Sequence, residues 1–478
     1  FGTMEDLDNL IAEGEKRNIG LMFDMVFNHT STSHEWFRRA LAGEKKYQDY
    51  YIFKEGAPDQ PPTNWQSKFG GSAWEYVSSL GKWYLHLFDV TQADLNWKNP
   101  EVREELKEVI RFWKAKGVKG FRFDVVNLIS KPEIWEDDFE GDGRKFYTDG
   151  PYVHEYLKEL VRDTGIEDYV TVGEMSSTTL EHCIRYSGAE EKELSMCFNF
   201  HHLKVDYKDG NKWELMEPDY MELKVIFEKW QMGMQRGNAW NALFWCNHDQ
   251  PRIVSRFGNE GEYWKESAKM LAGMIHLMRG TPYIYQGEEI GMTNPHYTSI
   301  EQYADVESRN YYEILLNEGK TKEEALEILA ARSRDNSRTP MQWTDERYCG
   351  FSDTKPWIPV SDNFEKINVK KQKQDRDSIL EFYKKLIMLR KEKEVIARGN
   401  IEFMEVENAG VLAYTRCLDK QKLLVCCNFR DVESQMEFTQ EWKSGRKILG
   451  NYEENHKNNY KVLTLRPYEI IVLEKGEE

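Results

Sequence analysis

Arg122 and Asp124 lie two apart in the segment Gly120-Phe-Arg-Phe-Asp124, which reads as a β-strand. At that spacing both side chains face one side of the strand, so a guanidinium and a carboxylate become neighbours. Two other apolar runs close on acids: Val170-Thr-Val-Gly-Glu174, and Leu243-Phe-Trp-Cys-Asn-His248 followed by Asp249. Near the start, Leu21-Met-Phe-Asp24 runs on to Asn28-His29. Three carboxylates (Asp124, Glu174, Asp249), two histidines (His29, His248) and Arg122 suit bond cleavage by a nucleophile and an acid. Asp24 precedes the end of its run, which favours a structural hydrogen-bonding role.

Strand tips that converge on one mouth are how a β/α barrel assembles such a set. The strand candidates are residues 20–27, 120–126, 169–174, 194–200, 241–246 and 282–285. Helical sequence separates most of them, at 101–116, 151–162, 220–234 and 263–278. The first helix has Thr3 as its N-cap, with Glu5 and Asp6 in its first turn. The expected architecture is a (β/α)8 barrel over residues 1–29 and 95–393, with an inserted lid subdomain at 30–94 and a C-terminal antiparallel β domain at 394–478. Six strands fall short of the eight that close a barrel. The expectation is that two strands and a helix lie upstream, and that without them the barrel folds poorly. The lid is read from the long Trp-, Tyr-, Gly- and Pro-rich excursion after His29. The C-terminal domain is read from short alternating runs at 411–415, 422–427, 461–465 and 469–473. Residues 365–377, rich in Lys and Gln, read as a solvated connection.

Composition narrows the partners. The 478 residues carry a net charge of −17, from 65 basic and 82 acidic side chains. No long basic run interrupts this, which argues against nucleic acid and anionic membrane surfaces. A local lysine cluster could still admit an anionic substrate. Tryptophan is abundant, at 15 residues, and flat faces suit sugars. Seven cysteines, two of them adjacent at Cys426 and Cys427, fit neither a disulfide framework nor zinc. They read as reduced thiols of a cytoplasmic protein.

Together Asp24-Met-Val-Phe-Asn-His29, Gly120–Asp124, Gly173-Glu174, Asn247-His-Asp249 and Arg334-Asp-Asn-Ser-Arg338-Thr-Pro-Met-Gln-Trp343 resemble the α-amylase superfamily of glycoside hydrolases, in the branch of oligo-1,6-glucosidases and trehalose-6-phosphate hydrolases. The resemblance implies that Asp124 is the nucleophile and Glu174 the general acid, later the base. Asp249 would be a third carboxylate holding sugar hydroxyls. His29, His248 and Arg338 would contact the sugar, with Arg334 beside them. Arg122 would keep Asp124 ionised, and partial burial after an apolar strand would keep a proton on Glu174. Such double displacement needs carboxyls roughly 5–5.5 Å apart. No cofactor is implied; calcium in the upstream portion is left open.

Val125, directly after Asp124, is similar to branch members that accept α-1,6 or trehalose-type links. Gly143–Gly150, Glu174–Thr179, His182–Tyr186 and His201–Tyr207 resemble the members acting on a phosphorylated disaccharide. Lys204 and Lys212 are the candidate phosphate contacts, with Lys208 between them, although Lys212 reads almost equally well as an ordinary surface lysine. His201-His202 lacks a third ligand at metal spacing, so packing or substrate contact is expected. Glu288 is expected to be structural.

Overall fold

The computed structural model describes residues 2–437, 439–453 and 462–475. The chain divides into two compact units, Phe1–Phe200 with Arg236–Trp240, and His201–Gln235 with Asn241–Glu478.

In the first unit the opening helix, Met4–Glu15, starts at a capping box. Thr3 accepts from the backbone of Asp6, and the Asp6 carboxylate bonds back to Thr3. Four parallel strands follow in spatial order: Met22–Met25, Gly120–Phe123, Val170–Glu174 and Met196–Phe198. All are shorter than their sequence runs. Phe121, Phe123 and Val172 are fully buried, as expected where helices cover a parallel sheet. The register sets Asp24 opposite Arg122, and Arg122 opposite Val172. Two of the covering helices are Pro100–Ala115 and Val153–Thr164. Asn99 caps the first of these, with Pro100 in its first turn; Gly165, at φ 63°, ends the second. Between these helices Lys107 reaches Glu159 at 2.7 Å and Asp163 at 2.8 Å.

The excursion after His29 builds its own small architecture. His29–Ser31 pairs antiparallel with Gln92–Asp94, and Phe53–Glu55, Lys82–Leu85 and Trp74–Val77 make a three-stranded sheet. Its aromatic core of Trp65, Trp74 and Trp83 continues into Tyr147, Leu128 and Val125. The excursion is thus packed against the turn that follows Asp124.

In the second unit two short parallel strands, Ala242–Leu243 and Thr281–Pro282, pair with each other. The helix Trp264–His276 is buried from Ser267 through His276, so its sequence is apolar around most of its circumference. Ser378 caps the helix Ile379–Glu392. The C-terminal sheet is antiparallel and five-stranded, in the order Asn400–Met404, Val411–Leu418, Gln421–Asn428, Ile470–Lys475, Arg446–Gly450. Ser434–Glu437 pairs separately with Val462–Leu465. Lys461, the expected start of that last strand, lies outside the described residues. Three of these strands, at 400–404, 434–437 and 446–450, were not legible as alternating runs. The expected solvated connection needs correction. Asn368 caps a helix, Val369–Gln374, and Gln372 is buried, accepting from the backbone N–H of Ile379 at 3.0 Å. Its lysines hid a one-sided helix.

His202 is fully enclosed in the second unit. Its Nε2 lies 2.9 Å from the Phe244 carbonyl and its ring packs on Phe227 and Trp245. Burial pushes its pKa down to about 4. The folded state therefore resists a proton that the unfolded chain binds near pH 6.5. Stability from this group is complete above about pH 6.5 and is lost as pH falls toward 4. The expected contribution across that window is on the order of 3 kcal/mol. Melting temperature measured from pH 7 to 4 should fall more steeply in the wild type than in His202→Gln. Parallel curves would show that the buried imidazole does not govern acid sensitivity.

Candidate active site

In the first unit one guanidinium collects three acids. Arg122 Nη1 lies 2.7 Å from Asp124 Oδ1 and 2.6 Å from Asp24 Oδ2, while Nη2 pairs with the Glu174 carboxylate. Asp24 faces Arg122 from the neighbouring strand, Glu174 ends the strand on its other side, and Asp124 follows the end of its own. The Arg122 side chain is only 14% exposed. Burial alone would lower its pKa, but Asp124 and Asp24 outweigh that and raise it. Asp24 thus accepts hydrogen bonds from Arg122, the kind of contact expected of it. Glu174 is partly buried at the end of an apolar strand, as expected, and the free face of the guanidinium also reaches it, so it is ion-paired.

The turn after Asp124 is tightly held. Val125 sits at φ 36°, a left-handed conformation that a β-branched residue adopts only when its surroundings impose it. The short helical turn Val126–Leu128 follows. Asn127 then clamps the loop after Glu174: its Nδ2 donates to the Ser176 carbonyl at 2.8 Å, and its Oδ1 accepts from the Ser176 N–H at 2.9 Å. Asp149 supports the clamp. It accepts from Asn127 at 3.1 Å, Thr178 at 2.9 Å and Tyr186 at 2.7 Å. Asn127 and Asp149 were not recognised from sequence. The one available signal was the place of Asn127, three residues after Asp124.

His29 belongs to a different network of the same unit. It is buried; Nε2 is 2.9 Å from the Gln92 amide and Nδ1 is 3.3 Å from that of Asn28. Burial lowers its pKa, so the neutral imidazole is favoured. Behind it, Asn28 donates to Asp94 at 3.0 Å and accepts from Lys131 at 2.9 Å, and Lys131 pairs with Asp94 at 2.7 Å. Asp94 and Lys131, both buried, carried no sequence signal of this role.

The second unit gathers the other candidates. Asp249 Oδ1 lies 2.7 Å from Arg338 Nη2 and 3.3 Å from Arg334 Nη1, and His248 Nε2 is 3.5 Å from its other oxygen. Burial pushes the Asp249 carboxyl up, but Arg334, His248 and Arg338 hold it below the usual range. Arg334 and Lys212 also share Glu307, each at 2.8 Å. Lys212, a candidate phosphate contact, thus lies in an ion pair that also includes Arg334. Lys208 pairs with Glu214 at 3.3 Å. Lys204 is exposed, directly after the helical turn His201–Leu203. His201 packs on Trp230 at 4.6 Å and His202 is a core residue, in line with the packing expected of the pair. Glu288 is buried and accepts from the Tyr285 N–H at 2.8 Å; burial raises its pKa to about 8. It is structural. Among the described residues no group of three or more His, Cys, Asp or Glu side chains could hold a metal ion. Among them, too, no helix is long and apolar enough to cross a membrane.

An ion-paired Asp and Glu at neighbouring tips of a parallel sheet are what a glycoside hydrolase of the β/α-barrel type requires. Residues 1–399 match the α-amylase catalytic domain and residues 401–472 the maltogenic amylase C-terminal domain. The chain belongs to the α-amylase family, with a barrel catalytic part and a C-terminal antiparallel β domain. It is 51% identical to trehalose-6-phosphate hydrolase of Escherichia coli (strain K12), over 98% of this chain and 85% of that one. It is 44% identical to oligo-1,6-glucosidase of Bacillus cereus, over 99% and 86%. Among solved structures it is similar to Bacillus licheniformis trehalose-6-phosphate hydrolase, with a TM-score of 0.94, 51% identity and coverage of 99% and 86%.

Removing the clamp should disturb the chemistry more than the binding. Asn127→Ala frees the segment that carries Glu174 and leaves the Ser176 backbone without its partner. We expect kcat on an aryl α-glucoside to fall by about 10–100-fold, with a smaller change in KM. Steady-state kinetics beside a thermal melt test this; an unchanged kcat would remove Asn127 from the machinery.

Proposed function

We propose that this chain is a retaining α-glucosidase that splits trehalose 6-phosphate into glucose and glucose 6-phosphate. The observation that carries the reaction type is Arg122 lying between Asp124 and Glu174. Two carboxyls spanned by one guanidinium are compatible with the roughly 5–5.5 Å spacing of double displacement. Substrate entry would exchange the Glu174–Arg122 pair for a hydrogen bond to the glycosidic oxygen, with Glu174 taking up a proton. An Asp124 oxygen then attacks the anomeric carbon while Glu174 protonates the departing oxygen. The bond from carbon to the leaving sugar breaks as the ester to Asp124 forms. Glu174, now a carboxylate, takes a proton from water, whose oxygen displaces Asp124 and releases glucose with its original anomeric configuration.

The remaining roles follow from the family motifs. Asp249, paired with Arg334 and Arg338, holds sugar hydroxyls; His29 and His248 contact the same glucose. The substrate is supported by relatives named for trehalose 6-phosphate at 50–51% identity, above the 44% of an oligo-1,6-glucosidase. Of the two candidate lysines we favour Lys204 for the 6-phosphate, from its place directly after the helical turn His201–Leu203 in the stretch that resembles members acting on a phosphorylated disaccharide. The acidic balance, −17 overall, suits a small sugar phosphate better than nucleic acid. Seven free cysteines, six of them buried, support a cytoplasmic setting.

Asp124→Asn and Glu174→Gln should each lower kcat by about 10²–10⁴-fold. Normal turnover in either would end this reading. Lys204→Ala should raise KM for trehalose 6-phosphate about tenfold and leave a neutral α-glucoside unaffected. Equal effects on both substrates would reject the phosphate assignment. Turnover of isomaltose in preference to trehalose 6-phosphate would instead select the oligo-1,6-glucosidase reading.

A further inference from the structure

Lys68, in the excursion, belongs to none of the motifs and takes no part in the reaction as proposed. The backbone around it is fixed. Ser67 Oγ donates to the Phe88 carbonyl at 2.6 Å and accepts from the Phe69 N–H at 3.1 Å, and the Lys68 N–H donates to the Leu87 carbonyl at 2.9 Å. Gly70 and Gly71, at φ 95° and 81°, turn the chain back. Phe69 packs on Phe88 at 5.8 Å, and Phe88 packs on His29 at 5.3 Å, so the segment borders a proposed glucose contact. The half-buried Lys68 side chain reaches the loop after Glu174. Its Nζ donates to Ser176 Oγ at 3.2 Å and lies 5.7 Å from the centre of the Tyr147 ring. Ser176 is two residues beyond Glu174, on the loop that Asn127 clamps. Tyr147 and Ser176 belong to Gly143–Gly150 and Glu174–Thr179, two of the stretches that resemble members acting on a phosphorylated disaccharide. Nearby, burial pushes the Asp142 carboxyl up, but Arg144, bonded at 2.8 Å, and Lys68 hold it below the usual range.

We propose that Lys68 is a specificity-determining residue, which binds the 6-phosphate of the departing sugar from the excursion. The inference rests on the reading of this chain as a trehalose-6-phosphate hydrolase and adds Lys68 to Lys204. An acid that protonates the glycosidic oxygen stands between the two sugars. The loop directly after Glu174 therefore borders the departing one, and Lys68 is held on that loop through the Ser176 hydroxyl. A phosphate carries most of two negative charges near pH 7. Lys68 exchanges the neutral hydroxyl for a phosphate oxygen, and the new hydrogen bond is charged on both sides and so stronger. A lysine suits this exchange, because its ammonium sits on a flexible stem and turns without moving the backbone. Ser176 keeps both backbone bonds to Asn127, so the loop that carries Glu174 stays in place. An uncharged leaving group gains nothing comparable from the same ammonium. The structure thus joins two of the stretches that resemble the phosphate-using members at one lysine far from both in sequence.

Kinetics of Lys68→Met on trehalose 6-phosphate and on an aryl α-glucoside test the assignment. The ratio of kcat/KM for the first substrate to that for the second should fall about tenfold, carried by KM. Lys68→Arg, which keeps the charge, should restore most of the ratio. Inhibition by glucose 6-phosphate should weaken about tenfold in Lys68→Met, and inhibition by glucose should not. An unchanged ratio, an equal loss on both substrates, or a loss that Lys68→Arg leaves in full would overturn the proposal. Should Lys68→Met fold poorly, lysine acetylation of the wild-type protein, mapped by mass spectrometry, decides instead. Glucose 6-phosphate should then slow the labelling of Lys68 and glucose should not; equal labelling with either sugar would overturn the proposal. Wild-type protein that leaves trehalose 6-phosphate uncut removes the reading of the reaction itself. Wild-type cleavage with an unaltered ratio in Lys68→Met removes only the role of Lys68.

Discussion

One buried cation cannot neutralise three carboxylates, and much of the first unit is arranged around that imbalance. Arg122 serves Asp24, Asp124 and Glu174 at once, so removing it would leave acids of like charge close together. In a partly dry site such repulsion is costly. Bringing a proton to one of the acids is a natural way to relieve it. Asp24 is the most exposed of the three, with 48% of its side chain accessible, against 21% for Asp124 and 13% for Glu174. Water can stabilise the charge on Asp24. The two enclosed acids are left to share one guanidinium.

That division needs fixed geometry, and the backbone supplies it at a cost. Val125 and Ser177 are both held at positive φ, one residue beyond Asp124 and three beyond Glu174. Each such position is unfavourable on its own. The hydrogen bonds of Asn127 and Asp149 link the two turns to each other, and the aromatic cluster of the excursion packs against Val125. The excursion therefore does more than cover a strand end. It helps to fix the conformation that follows the proposed nucleophile.

The parallel strands and most long helices were legible because their apolar periods and caps are local signals. Thr3 caps the first helix as its position suggested. The acids were legible because each follows a strand-forming run. What stayed hidden depends on distant partners. Nothing near Lys212 in sequence announces Glu307, and nothing near Asn28 announces Asp94 or Lys131. The helix at 369–374 was obscured by its lysines, which reach solvent while Gln372 turns inward. The strands at 400–404, 434–437 and 446–450 mix charged residues with apolar ones, and alternation alone does not separate such strands from loops.

The same accounting of charge separates the three carboxylates proposed for the reaction. Asp124 and Glu174 share a single arginine, whereas Asp249 is contacted by two, Arg334 and Arg338, with His248 beside it. A carboxylate with two cations is held ionised throughout, and can neither give nor take a proton near neutral pH. It is also a weak nucleophile, because its electron density is already committed to donors. Asp249 is therefore suited to holding hydroxyls in place. Glu174 has only a share of one cation. Counting arginines thus sets Asp249 apart from the other two acids before any substrate is placed.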